Sequence, residues 1–278
     1  MSGHDRPAPV PGSAGSAGSA GSAEGPGGPA ATGGAAATAG AGTGSADRTG
    51  PARAGILERL RGRLIVSCQA YPGEPLRDPL IMRQMSLAVL EGGAAGIRAQ
   101  GLDDLRAIRA VTDVPLIGLW KDGTSGVYIT PTARHAREVA ATGADIVAVD
   151  ATFRPRPGGE TLEQTVTAVH QADRLLMADV SSYEEGIEAA ALGADVVGTT
   201  LSGHVGGASH PQGPDLDLVA RLSAALSVPV LAEGRIHTPA QAQAALDAGA
   251  FAVVVGTAIT HPTSLTRWFA EGMGQAGG

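Results

Sequence analysis

Short, unbroken apolar runs alternate with longer amphipathic stretches along most of the chain. Leu64-Ile65-Val66-Ser67-Cys68 is the first. It is continuous rather than alternating, as expected of a strand covered on both faces. Similar runs stand at Gly96-Ile97, Val114 to Leu119, Ile146-Val147, Leu175 to Ala178, Val196-Val197, Val228 to Leu231 and Phe251 to Val253. Four are announced alike: Gly93-Ala94, Gly143-Ala144, Gly193-Ala194 and Gly249-Ala250 each close a helical stretch and lead into a strand. Ile56 to Leu60 has helical spacing ahead of the first run. After it, Asp78 caps a helix with Pro79 at its first position, running to about Glu91 and stopping at Gly92-Gly93.

Eight strands, each followed by a helical segment, imply a parallel sheet. Spread over about 225 residues, they predict a closed (β/α)8 TIM barrel, slightly below the ~250 residues typical of that fold. An open doubly wound sheet is the alternative. It is disfavoured because no glycine-rich turn follows the first strand and because the strands recur regularly.

Composition adds a boundary. Residues 1–53 are mostly Gly, Ala, Ser, Pro and Thr, with Gly-Ser-Ala repeated from Gly12 to Ala23. Such a segment buries too little apolar surface to offset ordering entropy, so it reads as a disordered tail ahead of a barrel domain over 54–278. The net charge of −7 offers no basic face for nucleic acid or an anionic membrane. No secretory signal or spanning run is visible, which makes the cytoplasm the expected location. The single cysteine, Cys68, excludes an internal disulfide and reads as a small buried hydrophobe. The histidines lack metal-ligand spacing, and no metal is expected.

Barrels of this kind carry their chemistry at the C-terminal strand ends. There the chain places Gln69, Arg98, Lys121, Asp150, Asp179, Thr199 with Thr200, Glu233 with Arg235, and Gly256 with Thr257. Any one of these charges could serve a structural ion pair. Together they suit an anionic, hydroxyl-rich ligand. The last two loops, Glu233-Gly234-Arg235 and Gly256-Thr257, suit a phosphate: glycines admit it to backbone N–H groups, and Arg235 supplies a forked cation.

The chain resembles the N-acetylmannosamine-6-phosphate 2-epimerases of bacterial sialic acid catabolism. The resemblance runs from about Leu60 to Phe269. It is carried by Ile65 to Ala70, Gly93 to Ala99, Ile129-Thr130-Pro131-Thr132, Val149-Asp150-Ala151-Thr152, Met177-Ala178-Asp179, Val197 to Gly203 and Ala232 to Ile236. It implies an isomerase that interconverts N-acetylmannosamine 6-phosphate and N-acetylglucosamine 6-phosphate at C2. Lys121 is implied as the base and Glu233 as the proton donor or acceptor on the opposite side. Gln69, Arg98 and Asp179 are implied to hold the sugar and its N-acetyl group.

The chain departs from the family pattern twice. The loop Asp122 to Gly126 is short and lacks the usual aromatic. His261 stands where an arginine is common, so a phosphate contact there is expected to be lost or to follow histidine protonation, near pH ~6.5.

The chemistry explains the residue types. A proton on C2, beside the C1 aldehyde of the open-chain sugar, is acidic. Its removal gives a planar enolate that is reprotonated on the other face. A lysine in the implied base role needs a depressed pKa, for which burial and Arg98 would serve, and a glutamate in the acid role a raised one. No cofactor is needed. The expected partner is a small amino-sugar phosphate, with a homodimer as the assembly the reading allows. A Schiff-base aldolase using Lys121 as nucleophile is one competitor, distinguishable by borohydride trapping. A non-catalytic sugar-phosphate binder is another, but it would need no acid/base pair. Arg98→Ala is expected to cost activity and spare stability.

Overall fold

The computed structural model describes residues 51–205 and 213–275. The tail expected over 1–53 lies outside the described residues, except that 51–53 belong to the backbone of the first helix. In chain order the elements are α1 (Pro51–Glu58), β1 (Leu64–Cys68), α2 (Pro79–Glu91), β2 (Gly96–Gln100), α3 (Leu102–Arg109), β3 (Leu116–Leu119), α4 (Ala133–Ala141) and β4 (Ile146–Asp150). They continue with α5 (Leu162–Gln171), β5 (Leu175–Asp179), α6 (Tyr183–Ala191), β6 (Val196–Gly198), α7 (Leu216–Ala225), β7 (Val230–Glu233), α8 (Pro239–Asp247), β8 (Ala252–Val255), α9 (Thr257–Thr260) and α10 (Pro262–Gly272). All eight strands are parallel and in sequence order, and β1 pairs with β8 to close the barrel.

Local chemistry sets the element ends. Asp78 accepts from the N–H groups of Leu80 and Ile81 with Pro79 at the first helical position. Thr161, Ser182 and Thr238 form reciprocal capping boxes with Gln164, Glu185 and Gln241. The recurring glycines before strands sit at φ 101°, 91°, 104° and 101° for Gly93, Gly143, Gly193 and Gly249. A residue with a Cβ is strained in that region, so the repeat in the sequence is a repeated backbone requirement.

Side chains alternate across each strand. Val66, Cys68, Ile97, Ala99, Leu116, Val147, Val149, Leu176 and Ala178 pack with helix residues in one outer cluster. Ile65, Ile117, Leu119, Ile146, Leu175, Met177, Leu231 and Val254 pack within the barrel. Leu57 and Leu60 join this inner cluster, so α1 and the turn after it close the end opposite the active rim. The helix expected over Ile56–Leu60 is thus placed earlier, at Pro51–Glu58, with Leu60 in the turn that follows.

One close approach is worth testing. A Cβ on Gly118, in β3, would lie 2.8 Å from Ala144 Cβ, 3.0 Å from Val139 Cγ1 and 3.1 Å from Leu105 Cδ1. Gly118→Ala is expected to destabilise the barrel by about 1–3 kcal/mol through overpacking. A thermal midpoint unchanged from wild type would contradict this packing.

Candidate active site

The inward positions of the strands turn polar toward their C-terminal ends. In β2 the inward residue is Arg98. It was expected at the rim, but β2 continues to Gln100, so Arg98 lies one layer deeper with its guanidinium in the barrel interior. It reaches across the lumen to β5, donating from Nη1 to Asp179 Oδ1 at 3.1 Å and from Nη2 to Asp179 Oδ2 at 2.7 Å. This fork is the strong geometry for an arginine–carboxylate pair. Glu233 Oε2, at the end of β7, lies 3.2 Å from Arg98 Nη1.

Thr200, just after β6, joins the two carboxylates. Its hydroxyl stands 2.6 Å from Asp179 Oδ1 and 3.1 Å from Glu233 Oε2. A hydroxyl has one proton, so it serves one carboxylate at a time. A protonated Glu233 resolves the conflict by donating to Thr200, which then donates to Asp179. Burial pushes the Glu233 carboxyl up, to about 7, with nearby Asp179 acting in the same sense and Arg98 opposing. Burial works against the Arg98 charge, but Asp179 and Glu233 more than offset it and hold the guanidinium above its ordinary range.

Lys121 follows β3 by two residues and pairs with Ile129 in an antiparallel bridge. Its Nζ stands 5.1 Å from the centre of the Tyr71 ring. Burial, and then the Arg98 charge, lower its pKa to about 8, while Glu233 and Asp179 pull the other way. Lys121 is also the only lysine in the chain; every other basic residue among the 20 Lys and Arg is arginine. That count was available from the sequence.

A cavity of about 760 Å³ opens at this end of the barrel. Of the expected site residues, Gln69, Arg98, Lys121, Glu233, Gly234, Arg235, Gly256 and Thr257 all line it. Asp179, expected to hold the sugar, does not line it: the residue is fully buried and its carboxylate is taken by Arg98 and Thr200. Thr199 does not line the cavity. Its hydroxyl donates to Glu233 O at 3.0 Å and accepts from Glu233 N–H at 3.1 Å, so it clips β6 to β7. The adjacent Thr200 is the threonine that faces the cavity.

Arg235, at φ 55°, donates from Nε to Gly213 O at 2.7 Å and from Nη1 to Ser202 O. Gln69 donates to Ser67 Oγ at 2.9 Å. For His261 the arrangement accords with the first of the two expected outcomes, a lost phosphate contact: Nε2 meets the Glu74 carboxylate and Nδ1 meets Ser264 Oγ at 2.7 Å. Neither ring nitrogen is left for a phosphate. Tyr71, Arg77, Tyr128, His237 and Trp268 also line the cavity and were not singled out from sequence. They arrive on loops and on α10, where no strand pattern marks them. Among the described residues no His, Cys, Asp and Glu cluster could hold a metal ion. No helix among them is long and apolar enough to cross a membrane.

Comparison with known proteins decides the family. The family described as "Putative N-acetylmannosamine-6-phosphate epimerase" matches residues 82–275. This chain belongs to that epimerase family. A relative from Cutibacterium acnes is 52% identical over 221 residues, spanning 78% of this chain and 96% of its own length, and carries the corresponding 2-epimerase name. One from Caldanaerobacter subterraneus is 49% identical over 77% of this chain and 92% of its own, with the same name. The solved structure of the Clostridium perfringens N-acetylmannosamine-6-phosphate 2-epimerase matches with a TM-score of 0.75 and 45% identity, over 78% of this chain and 95% of that one. A thiamine phosphate pyrophosphorylase from Pyrococcus furiosus, at TM-score 0.52 and 20% identity, shares the barrel alone.

Proposed function

We propose that this epimerase interconverts N-acetylmannosamine 6-phosphate and N-acetylglucosamine 6-phosphate, the N-acylglucosamine-6-phosphate 2-epimerase reaction, with Lys121 and Glu233 as the acid/base pair. The observation that carries the reading is that the chain's only lysine, lowered to about 8, and a glutamate raised to about 7 line the same cavity from β3 and β7, on opposite sides of the barrel. Environments that push an amine and a carboxyl toward each other's range equip both to accept and donate protons near neutrality.

In the open-chain sugar, neutral Lys121 takes the C2 proton, leaving a planar enolate. Protonated Glu233 returns a proton to the other face, and Lys121 is left protonated with Glu233 ionised. The reverse reaction starts from that second state. Arg98, fixed by Asp179, supplies the positive charge beneath the developing enolate. Its Nε is buried without a protein partner. Gly234, Arg235, Gly256 and Thr257 are assigned to the phosphate, and Gln69 to the sugar. These steps need a base, an acid and a cation, and no cofactor. The charge of a sugar phosphate confines it to one side of a membrane, which supports a cytoplasmic setting.

Both starting states carry the same number of protons on the pair, so both directions share one pH dependence. The rate is expected to rise through about 7 as excess protons leave the pair and to fall above about 8, with the apparent values belonging to the pair. A kcat/KM profile that rises without a basic limb to pH ~10 would remove Glu233 as an essential acid.

The direct test is incubation with N-acetylmannosamine 6-phosphate in D2O, followed by proton NMR at C2. Appearance of the gluco epimer with deuterium at C2 is the expected result. Epimer formed without solvent deuterium, or no conversion, overturns the reading.

A further inference from the structure

Beneath Lys121 lies a group of side chains that the reaction does not use. Lys121 sits in the base of a hairpin: Thr130 N–H donates to Trp120 O at 2.8 Å and Asp122 N–H to Tyr128 O at 3.0 Å, on either side of the Lys121–Ile129 bridge. The turn has Gly123 and Gly126 at φ 88° and 65°, and residues 122–126 are all exposed. A turn of that kind has little packing of its own to hold one conformation.

The grip comes from α4. The His135 ring lies 4.4 Å from the Trp120 ring, centre to centre. Its Nε2 is 3.0 Å from Asp122 Oδ2, and its Nδ1 is 2.7 Å from Thr132 Oγ1. One imidazole thus touches the residue before Lys121 and the residue after it. His135 is 4% exposed, whereas the Asp122 side chain is 60% exposed. Nε2–H donates to Asp122, and Nδ1 shares a proton with the Thr132 hydroxyl. Arg134 stands beside the same contact, with Nη2 3.2 Å from His135 Nε2 and its guanidinium 5.2 Å from the Trp120 ring.

We propose that His135 is a positioning residue for Lys121, holding the hairpin through Trp120 and Asp122 so that the amine is delivered to one point of the cavity. The inference rests on Lys121 being the base. Misplacement of a reacting group by about 1 Å costs on the order of 10²-fold, so a modest loosening of the hairpin is measurable.

The test uses Asp122→Ala, which removes an exposed carboxylate, and His135→Phe, which keeps a ring against Trp120 but loses both nitrogens. In the D2O assay each is expected to lower kcat by about tenfold with KM within about twofold of wild type. The double variant should fall no further than the worse single one, because both changes break one link. His135→Gln, which restores a donor toward Asp122, should recover part of the rate.

A second readout does not depend on turnover. Reductive methylation with ¹³C-formaldehyde labels one side-chain amine in this chain, Lys121, besides the amino terminus. Its NMR titration is expected to move upward in Asp122→Ala, toward the ordinary lysine value of about 10.4. Unchanged kcat and titration in Asp122→Ala overturn the proposal, as does a loss of rate that tracks loss of thermal stability with the titration unmoved. If wild type shows no epimerisation, the functional assignment fails, and the titration still decides the positioning. If His135→Phe does not fold, Asp122→Ala carries the test alone.

Discussion

Lys121→Ala is expected to slow epimerisation by on the order of 10²–10⁴-fold, the range for loss of a positioned acid or base, and Glu233→Gln by a similar factor. The more informative result is what survives. With Lys121 gone, Glu233 remains to exchange the C2 proton of one epimer with D2O. With Glu233 neutralised, Lys121 remains to exchange that of the other. Exchange should therefore persist from one epimer in each variant, and from opposite epimers in the two. Glu233→Gln also has a built-in control. The folded-state pKa of Glu233 lies above its ordinary value because of burial. Its ionised form therefore costs the fold stability as pH rises through about 7, and a neutral glutamine avoids that cost. Loss of rate at pH 8 with an undiminished thermal midpoint is the expected combination. Should Lys121→Ala lose exchange from both epimers while Glu233→Gln keeps both, Lys121 is the only base and the two-base scheme is wrong.

Arg98→Ala is expected to do more than impair binding. Sequence alone suggested that it would spare stability, with Arg98 acting in substrate positioning. The structure instead buries both partners, with side-chain exposures of 1% for Arg98 and 0% for Asp179. Removing one member leaves the other as an uncompensated charge, at a cost of about 3–5 kcal/mol. For a domain of this size that lowers the thermal midpoint by roughly 6–20 °C. Arg98→Lys should recover only part, because an ammonium cannot supply the two-pronged contact. Arg98→Met combined with Asp179→Leu should regain most of the stability while kcat/KM stays lost. A midpoint for Arg98→Ala within about 2 °C of wild type would show that the pair contributes to the site and not to the fold.

How far the sequence could be read follows from what each feature depends on. The eight strands were legible because each is a short apolar run and four follow a glycine that the backbone geometry demands. The expected cap at Asp78 was legible because capping is a local matter of residues 78–81. Most of the strand-end list also converges on one cavity, since the barrel brings those ends together. Depth was not legible. Arg98 was taken to end its strand, yet β2 runs two residues further, and strand ends depend on pairing with neighbours that a single segment does not reveal. The same uncertainty of one residue separates Thr199 from Thr200. His261 was read against a family arginine, but its ring is claimed by Glu74, 187 positions away. Tyr71, Tyr128 and Trp268 lie on segments without strand periodicity and reach the cavity only through tertiary folding. The grip of His135 on Asp122 is likewise a contact between α4 and a turn.

The alternation of side chains across each strand carries a consequence for how such a chain can change. Ser67, Arg98, Asp179 and Glu233 share one parity: each stands an even number of positions from the inward-facing apolar residues below it, Ile65, Gly96, Met177 and Leu231. Loops between strands can gain or lose residues freely, because they alter spacing and not parity. One residue inserted or deleted inside β2, β5 or β7 would turn a charged group from the lumen toward the helices and an apolar one inward. Drift in this protein should therefore be tolerant of length between strands and intolerant of it within them, at positions that never touch substrate as much as at those that do.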